Sequence, residues 1–368
     1  MRILYLMHIN WFWIRQRPQV FAGLLAERHT VHLLHYAMYR REHSADELPP
    51  PMPHGLLHRV PGPIKRQSDL FEALDGALIR AQIAWCVQRF RPDCLWVLHP
   101  VFEPATRGLP HLRVVYDCMD DHMEFAGQGT PRLLDAERRL AERADLCLFS
   151  SHTLASRVAQ RATYGSSMVV NNGVSERFLE TARQPEPCKA GEQPAPDTFR
   201  LGYFGTISSW FDWDLVFQLL DQFPKLVVRL AGPIDGAIPE HPRIQHAGIL
   251  SHQQLAAFAA ECVALFMPFK VNRLIESVDP IKLYEYLALG LPALAPLYPE
   301  SLRFAPFVQL YGNHAEALAT MEAIILGRIL QPEPAAVRDF LLHNTWEARL
   351  DMIDDALRTM DHPICAGA

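Results

Sequence analysis

The chain has no CxxC pair, and its seven cysteines (Cys86, Cys94, Cys118, Cys147, Cys188, Cys262 and Cys365) are scattered and odd in number. That pattern argues against a disulfide framework and for reduced thiols. No HExxH or comparable ligand spacing occurs among the 17 histidines, so no metal site is expected. No GxGxxG follows the first apolar stretch, which disfavours a dinucleotide oxidoreductase. Neither charge sign dominates: the formal net charge is −6, so a nucleic-acid partner is not expected. The longest apolar run, near 286–298, is broken by Gly and Pro and falls short of a bilayer span. The opening MRILYLMHINWFW is interrupted by His8 and Asn10, with no small-residue cleavage site after it, and reads as a first strand. These absences leave a cytoplasmic protein that at most touches the inner membrane surface.

What is present is apolar material for two domains: 368 residues, 49% hydrophobic and 21% charged. Short apolar runs alternate with helical patterns, first through RILYLMHI, TVHLLHYAM, CLWVLHP, LRVVYDCMD, DLCLFSS and SMVVNNGV. The pattern restarts at FRLGYFGTI and continues through KLVVRLAGP, RIQHAGI, VALFMPF and LPALAP. Near-continuous apolar strands joined by helices indicate parallel sheets covered on both faces. The expected fold is α/β, two doubly wound Rossmann-like domains facing a central cleft. The expected boundaries are an N-terminal domain over 1–182, a proline-rich linker or loop over 183–198, and a C-terminal domain over 199–345. A closing helix over 346–368 is expected to return toward the first domain.

The stretch VDPIKLYEYLALGLPALAP (278–296) carries the sharpest chemistry. Pro280 suits a first helical turn, and Asp279 suits a cap or the positive helix end. Lys282 and Glu285, three apart, share a face. Gly290 ends the helix. A helix N-terminus at the carboxyl edge of a sheet favours phosphate, the lysine adds a point charge, and the glutamate accepts from sugar hydroxyls. The plain alternative is a surface i,i+3 ion pair. Gly205, in GYFGTI, either lets backbone N–H groups approach a phosphate or merely makes a tight turn. Asn172-Gly173 reads as a turn with positive φ.

These motifs resemble the GT-B glycosyltransferases, particularly the large retaining family numbered four and bacterial polysaccharide enzymes of teichuronic-acid type. Pro-x-Lys-x-x-Glu-Tyr matches the donor-binding helix of a subset of them. Glu285 matches the second glutamate of their Glu-x7-Glu pair, but the first falls at Ser277, a departure. NNGVSERF, GYFGTISSWFDWDLV, NWFWIRQRPQVFAGLLAER, VVYDCMDDHMEF and TWEARLDMIDDAL extend the resemblance over nearly the whole chain. It implies donor binding by Gly205, Thr206, Ser277, Asp279, Pro280, Ile281, Lys282 and Glu285, with Lys282 on the donor diphosphate. The donor would be a nucleotide-diphosphate sugar of UDP or GDP type, with no further cofactor.

The acceptor side is expected after the first strand, at His8, Asn10, Arg15 and Arg17. Arg15 or Arg17 suits an acceptor phosphate, and either equally suits a solvated helix face. Asp117, Asp120 and Asp121 follow a strand. Asp117 or Asp120 would be the general base if the enzyme inverts, whereas Asp121 better suits a helix cap. Arg40, Arg41, Lys65 and Arg66 suit either an anionic lipid surface or ordinary surface charge. The expected activity is transfer of a hexosyl group to a saccharide or lipid-linked acceptor in cell-surface polysaccharide biosynthesis. The alternatives are a sugar-nucleotide epimerase of the same architecture and a non-catalytic nucleotide-sugar-binding protein.

Overall fold

The computed structural model describes residues 1–12, 15–36, 54–57, 69–109, 112–125, 127, 129–182 and 198–361. Arg40, Arg41, Lys65, Arg66 and nearly all of the expected linker lie outside the described residues. The chain divides into two compact units, Met1–Asn171 with Leu350–Ala368, and Asn172–Arg349.

The first unit is built on a seven-stranded sheet. Its strands are β1 (Arg2–Met7), β2 (Thr30–Tyr36), β3 (His54–Leu57), β4 (Cys94–Val97), β5 (Arg113–Cys118), β6 (Leu146–Phe149) and β7 (Ser166–Val169). They lie in the order β3-β2-β1-β4-β5-β6-β7, and every pairing is parallel. In β1 the run Ile3 to Met7 is wholly buried, because helices cover both faces of a parallel sheet. The Arg17–Arg28 helix carries Pro18 in its first turn, where the missing N–H costs nothing. The Pro131–Arg143 helix is capped by Thr130, whose hydroxyl accepts from the Leu133 N–H at 3.2 Å. It buries Ala136, Leu140 and Ala141 on one face.

The second unit repeats the plan with six strands: β8 (Phe199–Phe204), β9 (Leu226–Ala231), β10 (Ile244–His246), β11 (Ala264–Phe266), β12 (Ala293–Pro296) and β13 (Gln309–Tyr311). Their order is β10-β9-β8-β11-β12-β13, again parallel throughout. Counted within each unit, the second sheet runs 3-2-1-4-5-6, and the first runs the same way with a seventh strand added at its far edge. The order reverses between β1 and β4 in one sheet and between β8 and β11 in the other. Ligands of open α/β sheets bind beyond the carboxyl ends of strands at that reversal.

The division of the chain departs from the expected boundary after residue 182. The Glu176–Ala182 helix belongs to the second unit, because Val174, Phe178 and Leu179 are buried in that unit's core. Burying Phe178 alone contributes on the order of 2–3 kcal/mol. The closing helix spans Trp346–Asp361, and from Leu350 onward it belongs to the first unit. Ile353 and Leu357 are buried there, and Arg28 bonds Asp351 at 2.7 Å and Asp354 at 2.9 Å. No helix among the described residues is long and apolar enough to cross a membrane.

Candidate active site

At the carboxyl end of β8 the chain turns through Gly205, whose φ is +142°. A side chain is excluded here twice over. The backbone conformation disfavours one, and a Cβ would lie 2.5 Å from Cε of Lys282. Lys282 therefore reaches back across the glycine loop from the Ile281–Ala288 helix. Its Nζ pairs with Glu285 Oε2 at 3.3 Å and lies 5.7 Å from the centre of the Phe204 ring. Both partners remain partly exposed, at 28% and 14% of their side-chain surface. The Tyr203 hydroxyl donates to the Thr206 carbonyl at 2.8 Å and fixes the loop. Burial, reinforced by Glu285, holds that phenol far above its ordinary pKa, so it stays a neutral donor.

Gly205, Thr206, Lys282 and Glu285 are thus gathered at one strand end. A side-chain-free backbone, an ammonium group and the first turn of an eight-residue helix lie together here, the elements with which proteins commonly bind phosphate. The Gly205 N–H itself is spent on the Ala231 carbonyl at 2.8 Å, so the glycine supplies room rather than a donor.

Ser277 and Asp279, of the expected donor set, are committed to other partners, and Pro280 takes a different place in the helix. Pro280 is the N-cap rather than a residue of the first turn, and Ile281 opens the helix. Ser277, buried at the end of the short Arg273–Glu276 helix, donates to the Leu274 carbonyl at 2.8 Å. The Asp279 carboxylate has no exposed surface and accepts the Asn172 N–H at 2.6 Å and a bond from Arg303. Its oxygens are committed within the unit, so it does not face a donor sugar.

In the first unit Arg17 and Asp117 are also committed, to each other. Arg17 Nη2 lies 2.8 Å from Asp117 Oδ1, with 3% and 0% of the two side chains exposed. Arg17 Nη1 donates to the Val170 carbonyl at 2.6 Å, and Trp96 Nε1 approaches Asp117 Oδ2 at 3.4 Å. A guanidinium so enclosed does not take up an acceptor phosphate, and a carboxylate so enclosed is no base. Asp121 is no helix cap either: it is buried against Arg161 at 2.9 Å and Arg157 at 3.6 Å. Arg161 also holds Glu137, which accepts from the Tyr116 hydroxyl at 3.1 Å. Asn10 is used locally, its Oδ1 accepting the Phe12 N–H at 2.8 Å. Arg15 is half-buried ahead of the Arg17–Arg28 helix.

Asp120 is different. It is half-buried, and desolvation raises its carboxyl to about 7, with Arg17 opposing the shift and Asp121 and Asp117 adding to it. Beyond the ends of β1, β4 and β5, His8, His99 and His122 form a cluster. Ring centres are 4.5 Å apart for His8 and His99, 4.1 Å for His99 and His122, and 5.6 Å for His8 and His122. Burial lowers His122 to about 4, so its ring is neutral. No group of three His, Cys, Asp or Glu among the described residues has the geometry to hold a metal.

No protein-family model matches the chain. Over 254 residues it is 26% identical to a Bacillus subtilis (strain 168) protein assigned as a teichuronic acid biosynthesis glycosyltransferase, TuaH. The matched stretch spans 63% of this chain and 63% of that relative. Solved structures match far more of it. Sucrose-phosphate synthase from Thermosynechococcus elongatus superposes with a TM-score of 0.73 at 13% identity, covering 98% of this chain and 99% of the other. HepE from Anabaena, solved with UDP and glucose, gives 0.71 at 14% identity, covering 98% and 100%. The fold is GT-B. In each unit the candidate side chains lie beyond carboxyl strand ends near the point where the strand order reverses, after β1, β4 and β5 in the first and after β8 and β11 in the second. Sequence reasoning singled out the glycine and lysine of the second but not His99 and His122 of the first. The signal was present, since His99 follows the CLWVL strand much as His8 follows RILYLM.

Proposed function

We propose that the chain is a glycosyltransferase that moves a sugar from a nucleotide-diphosphate donor of UDP or GDP type to a saccharide or lipid-linked acceptor in cell-surface polysaccharide biosynthesis. The observation that carries this reading is the approach of Lys282 to Gly205, two motifs far apart in sequence, at the reversal point of the second sheet. The relative assigned to teichuronic acid biosynthesis and the UDP complex of HepE support the same reading.

Departure of a nucleoside diphosphate builds negative charge. The Lys282 ammonium and the first-turn N–H groups of its helix meet that charge where it develops. Removing such a donor typically costs about 10²–10³ in kcat. Glu285 holds Lys282 in place at 3.3 Å and presents a second oxygen to the ribose hydroxyls. In the first unit the imidazoles of His8, His99 and His122 suit sugar hydroxyls. Asp120, poised near neutrality, suits the acceptor's proton. We assign the activity to the cytoplasm or the inner membrane surface.

The test is incubation with UDP- and GDP-sugars, with and without saccharide and prenyl-phosphate-linked acceptors. Acceptor-dependent release of nucleoside diphosphate is the expected result. Epimerisation of the donor without any acceptor would overturn the reading.

A further inference from the structure

The chain passes into the second unit at Asn172 and leaves it after Arg349. Inside that unit the two passages run side by side. The Val174 N–H donates to the Asn344 carbonyl, and the Trp346 N–H to the Val174 carbonyl, each at 3.1 Å. Val174 and Thr345 form a parallel bridge. Gly173 is not in the left-handed region, contrary to the turn expected there. It is glycine because a Cβ would lie 2.8 Å from the Asn344 oxygen and 2.9 Å from the Thr345 carbonyl carbon.

Asp279 grips the first of these passages. Its Oδ2 accepts the Asn172 N–H at 2.6 Å, and its carbonyl accepts Asn172 Nδ2 at 2.8 Å. Its Oδ1 takes Arg303, which also bonds the hydroxyl of Tyr284 inside the Ile281–Ala288 helix. Arg349, at the second passage, bonds the Asn344 side chain and approaches the Asn172 carbonyl at 3.5 Å. Asp279 immediately precedes Pro280 and stands three residues before Lys282. A buried carboxylate is costly unless every partner stays in place. Shifting Asn172 against the start of this helix would leave Asp279 Oδ2 buried without its N–H donor.

We propose that Asp279 is a positioning residue that joins the start of the Lys282 helix to the paired passages, so that a nucleoside diphosphate at Lys282 is felt at Asn172, Val174 and Trp346. The proposal rests on the donor reading above and adds a residue that touches no substrate. Linkage makes the effect reciprocal: order in the passages strengthens nucleotide binding, and nucleotide binding orders the passages.

The experiment is amide hydrogen exchange on the full chain, with and without saturating UDP or GDP. The N–H groups of Asn172, Val174 and Trp346 should exchange at least tenfold more slowly with nucleotide. Asp279→Asn should bind nucleotide about tenfold more weakly and, when saturated, show no such slowing. A clamp that is merely structural would lower the melting temperature of the variant and leave the nucleotide response intact. Protection of the 281–288 helix in the unsubstituted chain, with those three amides unchanged, would overturn the proposal whether or not the variant folds. Absence of any nucleotide binding is a separate result, one that removes the donor reading and this proposal with it.

Discussion

The two units share a strand order through six strands, and two charged pairs near their strand ends are handled in opposite ways. In the first, Arg17 and Asp117 are sealed together, and Asp121, Glu137 and Arg161 form a second buried network. In the second, Lys282 and Glu285 pair loosely at 3.3 Å and keep part of their surface in solvent. A sealed pair is spent on holding the fold. A loose, partly exposed pair beside a glycine loop can exchange partners when an anion arrives. The contrast teaches that a charged residue after a strand is a site candidate only if its partner can let go.

Breaking the sealed pair should have the largest effect. Arg17→Ala strands the Asp117 charge and should cost about 3–5 kcal/mol in urea unfolding. Lys282→Ala, judged the same way, should change stability by about 1 kcal/mol or less. Its effect belongs in kinetics: kcat should fall about 10²–10³-fold, or roughly 2.7–4 kcal/mol of barrier, in the transfer assay. Equal stability losses for the two variants would erase the distinction.

Gly205→Ala sharpens the comparison at the loop. The alanine must accept a φ of +142° and displace Lys282, so strain of about 1–3 kcal/mol and more than tenfold weaker nucleotide binding are expected. Calorimetry with UDP and GDP reads the second number directly.

The first unit should declare itself through pH. The fold raises Asp120 to about 7 and so resists its ionisation. That cost is absent near pH 4, grows toward pH 7 and is constant above it. Asp120→Asn should match the parent at pH 4 and exceed it at pH 8 by roughly 1–3 kcal/mol, a discounted share of the three-unit shift. His122, lowered to about 4, acts in the opposite direction. Keeping its ring neutral costs stability as pH falls from about 6.5 to 4, and His122→Asn should flatten that limb of a melting-temperature profile.

Much of this fold was legible because strand and helix periods alternate without conflict, and both sheets follow from buried runs such as Ile3–Met7 and Ala293–Pro296. The Lys282 helix was legible because proline, lysine and glutamate sit at spacings that local geometry interprets. The roles of Arg17, Asp117 and Asp279 were not, since each is decided by a partner far along the chain: Arg17 with Asp117 and Val170, Asp279 with Asn172 and Arg303. Gly173 misled for the same reason, its constraint being the neighbouring backbone at Asn344 and not its own torsion. The unit boundary followed Phe178 and Leu179, whose apolar faces chose a core that sequence order does not name.

The central claim is that Lys282 and the Gly205 loop receive a nucleoside diphosphate. Isothermal titration of the full chain with UDP and GDP, repeated for Lys282→Ala, tests it most directly. Saturable one-to-one binding of one nucleotide, weakened at least tenfold by the substitution with the fold intact, is the predicted result. No binding, or the same affinity in both proteins, would contradict it.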